Sequence, residues 1–137
     1  MSRFGHLALI VVGGMVGTFV RAGLESALPV GAGQWPWTTF WINVSGSLAL
    51  GILLELLAAG EDAGWRRSAR LGVGTGVLGG YTTYSTFSVE TVELLRSGNW
   101  LAGLAYPAAS LLAGIAAAAL AMVAIRRLRR LRETPCS

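Results

Sequence analysis

The chain has 137 residues, of which 53% are hydrophobic and only 13% are charged. A soluble domain carries roughly a quarter charged residues, so the composition excludes an ordinary soluble domain and indicates an integral membrane protein. The formal net charge is +4 and all eleven basic residues are arginines. Because they cluster between apolar runs, we expect them to meet anionic lipid headgroups, not nucleic acid.

Four apolar segments follow one another, separated by short connections. Each approaches or exceeds the ~20 residues that a helix needs to cross ~30 Å of hydrocarbon. The sequence therefore predicts an all-α membrane protein with a single integral domain over residues 1–137 and a basic C-terminal tail over 126–137. The predicted transmembrane helices cover about residues 6–28, 38–59, 71–95 and 101–125.

The arginines predict an orientation. With four crossings, both termini and the middle connection share one side, and that side holds nine arginines. The other side holds Arg21 and Arg96. The positive-inside rule places both termini in the cytoplasm, which predicts a multi-pass protein of the cell (inner) membrane.

Glycines recur every four residues in two segments. The first segment contains Gly13 and Gly17, and the third contains Gly72, Gly76 and Gly80. Small residues four apart form a flat groove that lets two helix backbones approach closely. We therefore predict a packing seam along these glycines.

Polar residues also recur every four positions. Thr39, Asn43 and Ser47 form one stripe on the second segment, and Tyr106 and Ser110 form another on the fourth. Such stripes serve either as interhelical hydrogen bonds or as a row of neutral donors along a pore. Spacing alone does not decide between the two.

Three charged residues lie close to apolar sequence. Arg21 either snorkels from the end of its helix or draws anions into a vestibule. Glu90 projects near the face of Phe87, where it can bind a neighbouring hydroxyl or arginine. Glu55 lies near the end of its segment and is predicted to be interfacial.

The stretch 79–88 is central to the functional prediction. Two adjacent glycines followed by Thr, Tyr and Ser are poor helix formers, so the helix should break or loosen here. Non-helical backbone at membrane depth survives only when it is buried in protein or lines a wet cavity. The aromatic rings of Tyr84 and Phe87 flank Ser85 and Thr86, and a ring edge is positive enough to meet an anion. This stretch is therefore predicted to be the working part of an ion pathway.

Residues 79–90 read Gly-Gly-Tyr-Thr-Thr-Tyr-Ser-Thr-Phe-Ser-Val-Glu, which closely resembles the signature of the CrcB/Fluc fluoride channels. The glycines before Arg21, the run 37–47 with its Asn, and the pair Tyr106 and Ser110 are similar to the other helices of that family. The resemblance covers nearly the whole chain. Two departures are Tyr84, where Phe is usual, and Gly114, where the polar track often continues with Ser.

The resemblance implies an antiparallel dimer of four-helix subunits with two narrow fluoride pathways. It also implies a central structural Na⁺ held by the backbone carbonyls of Gly79 and Thr82. The nine-to-two arginine bias leaves open whether the partner is a second copy or a paired homologue of opposite orientation. The implied pathway residues are Asn43, Tyr84, Phe87, Ser85, Thr86, Tyr106 and Ser110, with Arg21, Thr39 and Glu90 in vestibule or supporting roles.

The leading functional hypothesis is a passive fluoride-selective channel that exports fluoride and relieves its toxicity. One alternative is a proton-coupled exporter of the small multidrug-resistance type. It needs a carboxylate in the middle of the first helix, where only Glu25 is near, at the helix end. Another is a non-conducting assembly protein. The single histidine, His6, has no nucleophile or metal-ligand cluster near it in sequence, so no enzyme is predicted.

Overall fold

The computed structural model describes residues 3–31, 33–58 and 60–133, the side chains of 132 and 133 excepted. Every regular element in these ranges is a helix, which confirms the predicted all-α class. Three helices are long and apolar enough to cross a membrane. They are Arg3–Ala27, Trp37–Leu57 and Trp100–Leu131.

Helix α1 spans Arg3–Ala27 and α2 spans Trp37–Leu57. The third predicted segment consists of shorter pieces instead of one helix. They are α3 (Gly64–Ala69), a π-helix (Arg70–Leu78), α4 (Gly79–Tyr81) and α5 (Ser85–Arg96). Helix α6 then runs over Trp100–Glu133.

The observed helices extend beyond two of the predicted bounds. Helical structure of the third segment begins at Gly64 instead of residue 71, and α6 continues to Glu133 instead of ending at residue 125. A span predicted from hydropathy ends where charged residues begin, but the helix itself continues, because its backbone hydrogen bonds do not depend on apolar side chains. The predicted basic tail is therefore helical as far as residue 133, and residues 134–137 lie outside the described ranges.

The carboxylate of Glu55 holds the extension of α6 against α2. Its Oε2 accepts a hydrogen bond of 2.8 Å from Arg126 Nε, and its Oε1 lies 4.0 Å from Arg129 Nη1. Glu55 lies near the end of α2, where the sequence places it, and it is only 5% exposed because α6 covers it. A buried carboxylate is costly unless it is paired, and the continuation of α6 supplies both partners.

Helix α1 packs along the π-helix and α4 with backbone against backbone. A Cβ added to Gly13 would lie 2.3 Å from the carbonyl oxygen of Gly72, and one on Gly17 would lie 2.0 Å from that of Val77. A Cβ on Gly80 would lie 2.4 Å from the oxygen of Gly14. No side chain fits at these distances, so the structure confirms the predicted glycine seam.

Helix α2 packs along α6. A Cβ on Gly51 would lie 2.6 Å from the carbonyl oxygen of Ala118, so small residues again allow a close approach. Many large apolar side chains remain exposed, among them Phe4, Phe19 and Leu101. A protein surface of this kind requires an apolar solvent, here the bilayer.

The seam predicts a difference between two glycines of the same helix. Gly17→Ala should lower the stability of the protein by about 1–3 kcal/mol, because its Cβ would force α1 away from Val77. Gly23→Ala is the matched control, since an added Cβ there meets nothing within 4 Å, and alanine favours a helix. Thermal unfolding in detergent measures both, and equal midpoints would contradict the packing role of Gly17.

Candidate functional site

The backbone is not helical at Thr82–Tyr84, between α4 and α5. Thr82 is extended, with φ −75° and ψ 154°. The side chain of Asn43 binds this break from α2. Its Nδ2 donates to the carbonyl oxygen of Thr83 at 3.0 Å, and the Thr83 N–H donates to its Oδ1 at 2.9 Å. The amide thus pairs with a peptide group as a neighbouring strand would.

Thr83 also caps the start of α5. Its Oγ1 accepts a hydrogen bond of 3.1 Å from the N–H of Thr86 and donates one of 3.0 Å to Thr86 Oγ1. The hydroxyl of Thr83 therefore satisfies an amide in the first turn of α5, from the position just before the N-cap residue Tyr84. Thr83 was absent from the predicted site residues, although a threonine close before a helix start, here two residues before Ser85, is a recognisable capping signal.

These contacts leave two backbone carbonyl oxygens without the hydrogen bonds that a continuous helix would give them. In a continuous helix the oxygen of Gly79 would accept from the N–H of Thr83, and that of Thr82 from the N–H of Thr86. The first amide instead donates to Asn43 and the second to the Thr83 hydroxyl. The break thereby frees the two oxygens for which the family resemblance implies a cation, and a carbonyl oxygen suits Na⁺ as a hard ligand.

Arg21 binds the same break from α1. Its Nε donates to the carbonyl oxygen of Gly80 at 3.2 Å, and its Nη1 lies 3.2 Å from both carboxylate oxygens of Glu25. Thr86 Oγ1 donates weakly to Glu25 at 3.5 Å. The side chain is 20% exposed, so Arg21 reaches into the protein and does not snorkel outward.

Glu90 joins three helices. Its Oε1 accepts a hydrogen bond of 2.7 Å from Thr39 of α2, and its Oε2 accepts one of 2.8 Å from Tyr106 of α6. Thr39 and Tyr106 are almost completely buried. Two members of the predicted polar stripes therefore meet at one carboxylate, and their hydroxyl hydrogens point toward it.

Aromatic rings form a continuous column beside this cluster. The ring centroids are 6.0 Å apart for Tyr84 and Phe87, and 5.3 Å apart for Phe87 and Tyr106. Trp35 follows, with its ring 5.6 Å from that of Tyr106. Tyr84 is 81% exposed, so the column leads from the protein surface to a buried ring.

A groove of about 390 Å³ runs between α2, the break and α6. Most of its lining is apolar, with polar groups from Ser47, Thr83 and Ser110 among others. Ser110 Oγ is buried and has no hydrogen-bond partner in the described part of the chain. The predicted site residues that line the groove are Asn43, Gly79, Thr82, Tyr84, Phe87 and Ser110.

The other predicted residues lie beside the groove. Thr39, Tyr106 and Glu90 form the buried cluster described above, and Arg21 and Thr86 meet at Glu25. Ser85 is exposed, with its Oγ 3.3 Å from the hydroxyl of Thr83. Gly114 lines the groove, where a Cβ would meet Ser47 Oγ at 3.2 Å.

Spanning helices, a broken helix bound by polar side chains and a groove lined by neutral donors are together typical of a multi-pass membrane protein that handles a small ion. Comparison with known families agrees. The profile of the family described as "CrcB-like protein, Camphor Resistance (CrcB)" matches residues 8–122. The chain belongs to this family.

Individual relatives are similar over most of their length. A "Fluoride-specific ion channel FluC 1" of Cutibacterium acnes is 47% identical over 109 residues, covering 79% of this chain and 76% of the relative. A "Fluoride-specific ion channel FluC" of Hyphomonas neptunium is 40% identical, covering 88% and 94%. A "Fluoride-specific ion channel FluC 2" of Leifsonia xyli subsp. xyli is 49% identical, covering 81% and 77%.

The pairing of Asn43 with Thr83 predicts a local loss of stability. Asn43→Ala should remove both hydrogen bonds and leave two partly buried peptide groups unpaired, at roughly 1–3 kcal/mol each. Thermal unfolding should shift accordingly, and the amide of Thr83 should exchange hydrogen faster. Asn99→Ala is the control for the local effect: it removes exposed hydrogen bonds to Gly33 and to the first turn of α6, so exchange at the Thr83 amide should stay slow. Equal behaviour of the two variants would rule out the proposed role of Asn43.

Proposed function

We propose that this chain forms a fluoride-selective passive channel that lets fluoride leave the cell down its gradient. The observation that carries the proposal is the groove at the broken helix, whose polar groups are neutral donors next to aromatic ring edges. The relatives' names describe fluoride channels and not enzymes, and we assign no catalytic residue.

Neutral donors suit the passage of a small, hard anion. Fluoride holds its hydration shell strongly, so entry into a low-dielectric path requires replacement of that shell. Asn43 Nδ2 carries two hydrogens and uses one for Thr83, which leaves one N–H for an anion. Ser110 has a free buried hydroxyl, and the edges of Tyr84 and Phe87 add weak positive potential. None of these groups carries a full charge that would trap the ion.

The charged residues support the path without lining it. Arg21 is bound to Gly80 and Glu25, and Glu90 receives the hydroxyls of Thr39 and Tyr106. These pairings position the break and the aromatic column. They also keep the carboxylates hydrogen-bonded, which lowers their repulsion of a passing anion.

We further infer that the residues from Gly64 to Arg96 make a fourth crossing, broken near its centre. Support comes from the packing of the π-helix and α4 against α1, and of α5 against α6. The ends of this region, with Trp65 and Arg96, carry the side chains expected at a membrane surface. The break at Thr82–Tyr84 would then lie at membrane depth.

A second copy in antiparallel orientation would complete the site. The freed carbonyls of Gly79 and Thr82 fit a sodium ion, and a symmetric partner would supply the same two oxygens again. When bound, the ion would contribute a fixed positive charge at the dimer centre. The alternative partner, an oppositely inserted homologue, is suggested by the nine-to-two arginine bias.

Reconstitution of this chain alone into liposomes tests the function and the partner together. A homodimeric channel should give fast, electrogenic fluoride efflux that needs no proton gradient, measured with a fluoride electrode. Flux that appears only with an added homologue would identify a heterodimer. Proton-coupled transport of organic cations, or sealed vesicles under all conditions, would overturn the channel.

The aromatic edges predict opposite outcomes for two neighbouring variants. Phe87→Ile keeps bulk but removes a ring edge, so fluoride efflux should fall by about tenfold or more, as expected for one lost anion contact. Tyr84→Phe keeps the ring and should conduct like the parent protein. If the Phe87→Ile variant conducts fluoride as fast as the parent protein, the ring of Phe87 does not contact the ion. If the Tyr84→Phe variant is inactive, the hydroxyl of Tyr84 is required for conduction instead of its ring edge.

The dimer predicts an effect at Gly79 that a single subunit does not explain. An added Cβ there meets nothing within 4 Å of its own chain, so Gly79→Ala should leave the fold intact. At a dimer centre it would meet the partner, and both dimer mass and bound sodium should fall. Light scattering and elemental analysis measure the two quantities, with Gly23→Ala as control. A Gly79→Ala dimer with full sodium content would argue against this interface.

A further inference from the structure

Two buried side-chain donors lack a hydrogen-bond partner in the described part of the chain: Ser110 Oγ and Trp35 Nε1. Ser110 belongs to the groove. Trp35 lies outside it, in the connection between α1 and α2. Its indole N–H is the one of these two donors that the pathway described so far does not use.

Trp35 forms the end of the aromatic column that contains Tyr84, Phe87 and Tyr106. Its ring meets that of Tyr106 edge-on, at 5.6 Å and 85°, and Tyr106 in turn binds Glu90. The side chain of Asn99 donates to the carbonyl oxygen of Gly33 at 3.4 Å, which holds this connection at the N-terminal end of α6. Ser110 lies one turn further along α6. The two unpartnered donors therefore flank Tyr106 along the helix.

The chemistry of the indole restricts what can satisfy it. An indole N–H donates and cannot accept, so only an acceptor can satisfy it. A buried donor without one is costly and calls for an explanation. Gln34 and Pro36, on either side of Trp35, line a cavity of about 100 Å³ together with Glu90 and Glu93, a volume sufficient for water. Water can therefore reach the neighbours of Trp35 in the connection, although Trp35 itself is not among the residues that line this cavity.

We propose that the indole N–H of Trp35 is a further fluoride-recognition donor, placed beyond Tyr106 at the end of the pathway near the N-terminus of α6. This inference rests on the proposed channel function. A neutral donor suits a pathway, because it offers an anion a hydrogen bond without a full charge that would trap the ion. Trp35 thereby extends the row of uncharged donors from Asn43 and Ser110 into the connection.

Replacement of the indole N–H tests the proposal in liposomes containing the full chain. Trp35→Phe keeps an aromatic ring against Tyr106 and should lower fluoride efflux by about tenfold, the loss expected for one hydrogen bond to an anion. Trp37→Phe is the matched control, since Trp37 is 55% exposed, and its efflux should match the parent protein. Parent-like efflux from the Trp35→Phe variant, or an equal loss in both variants, would overturn the proposal.

A measurement on the unmodified protein covers the case in which Trp35→Phe fails to fold. The chain has five tryptophans, and single Trp→Phe variants of the other four assign their indole N–H signals in ¹⁵N-resolved spectra, leaving Trp35 by elimination. Addition of fluoride, but not chloride, should shift the Trp35 signal. An unmoved signal would overturn the role of Trp35 while parent efflux persists, whereas absence of parent efflux would overturn the channel itself.

Discussion

The structure depends on one constraint: a peptide group inside an apolar environment must have a hydrogen-bond partner. An unbroken helix meets this requirement by itself, and the chain gives up that solution at Thr82–Tyr84. The partners then come from other helices. Asn43 of α2 binds both the N–H and the carbonyl oxygen of Thr83, and Arg21 of α1 donates to the carbonyl oxygen of Gly80. The break is therefore stabilised by side chains of two other helices.

The glycine seam makes those partners available. Arg21 reaches Gly80 because the backbones of α1 and α4 approach closely, with Gly14 and Gly80 in direct backbone contact. The seam also accommodates the π-helix, whose wider turns alter the direction of the carbonyls that precede the break. The close backbone packing at these glycines therefore positions the polar groups around the helix break.

The few charged side chains near the helices mostly stabilise the structure. Glu25 pairs with Arg21, and Glu55 pairs with Arg126 and Arg129. Glu90 is bound by two hydroxyls. With these charges engaged, the groups left along the groove are amides, hydroxyls and ring edges, which can hold a small anion weakly. A path of this kind can replace hydration and still release the ion, which a row of bare cations would not do.

Local sequence patterns were enough to predict part of this protein. Composition indicated the membrane class, four-residue spacing identified the glycine seam, and the run over 79–90 indicated the family. These features depend on a few neighbouring residues, so they can be read without knowledge of the fold. The helix ends were less predictable, because charged residues stop a hydropathy pattern without stopping a helix.

The tertiary structure alone decided which groups meet. Asn43 and Thr83 are 40 residues apart and Arg21 and Gly80 are 59 apart, and nothing in the spacing of either pair indicates a contact. The cap formed by Thr83, the burial of Glu55 and the unpartnered indole of Trp35 likewise follow from packing between helices. The physical reason is that a hydrogen bond depends on distance and direction in space, whereas sequence periodicity reports only the face of a helix on which a residue lies.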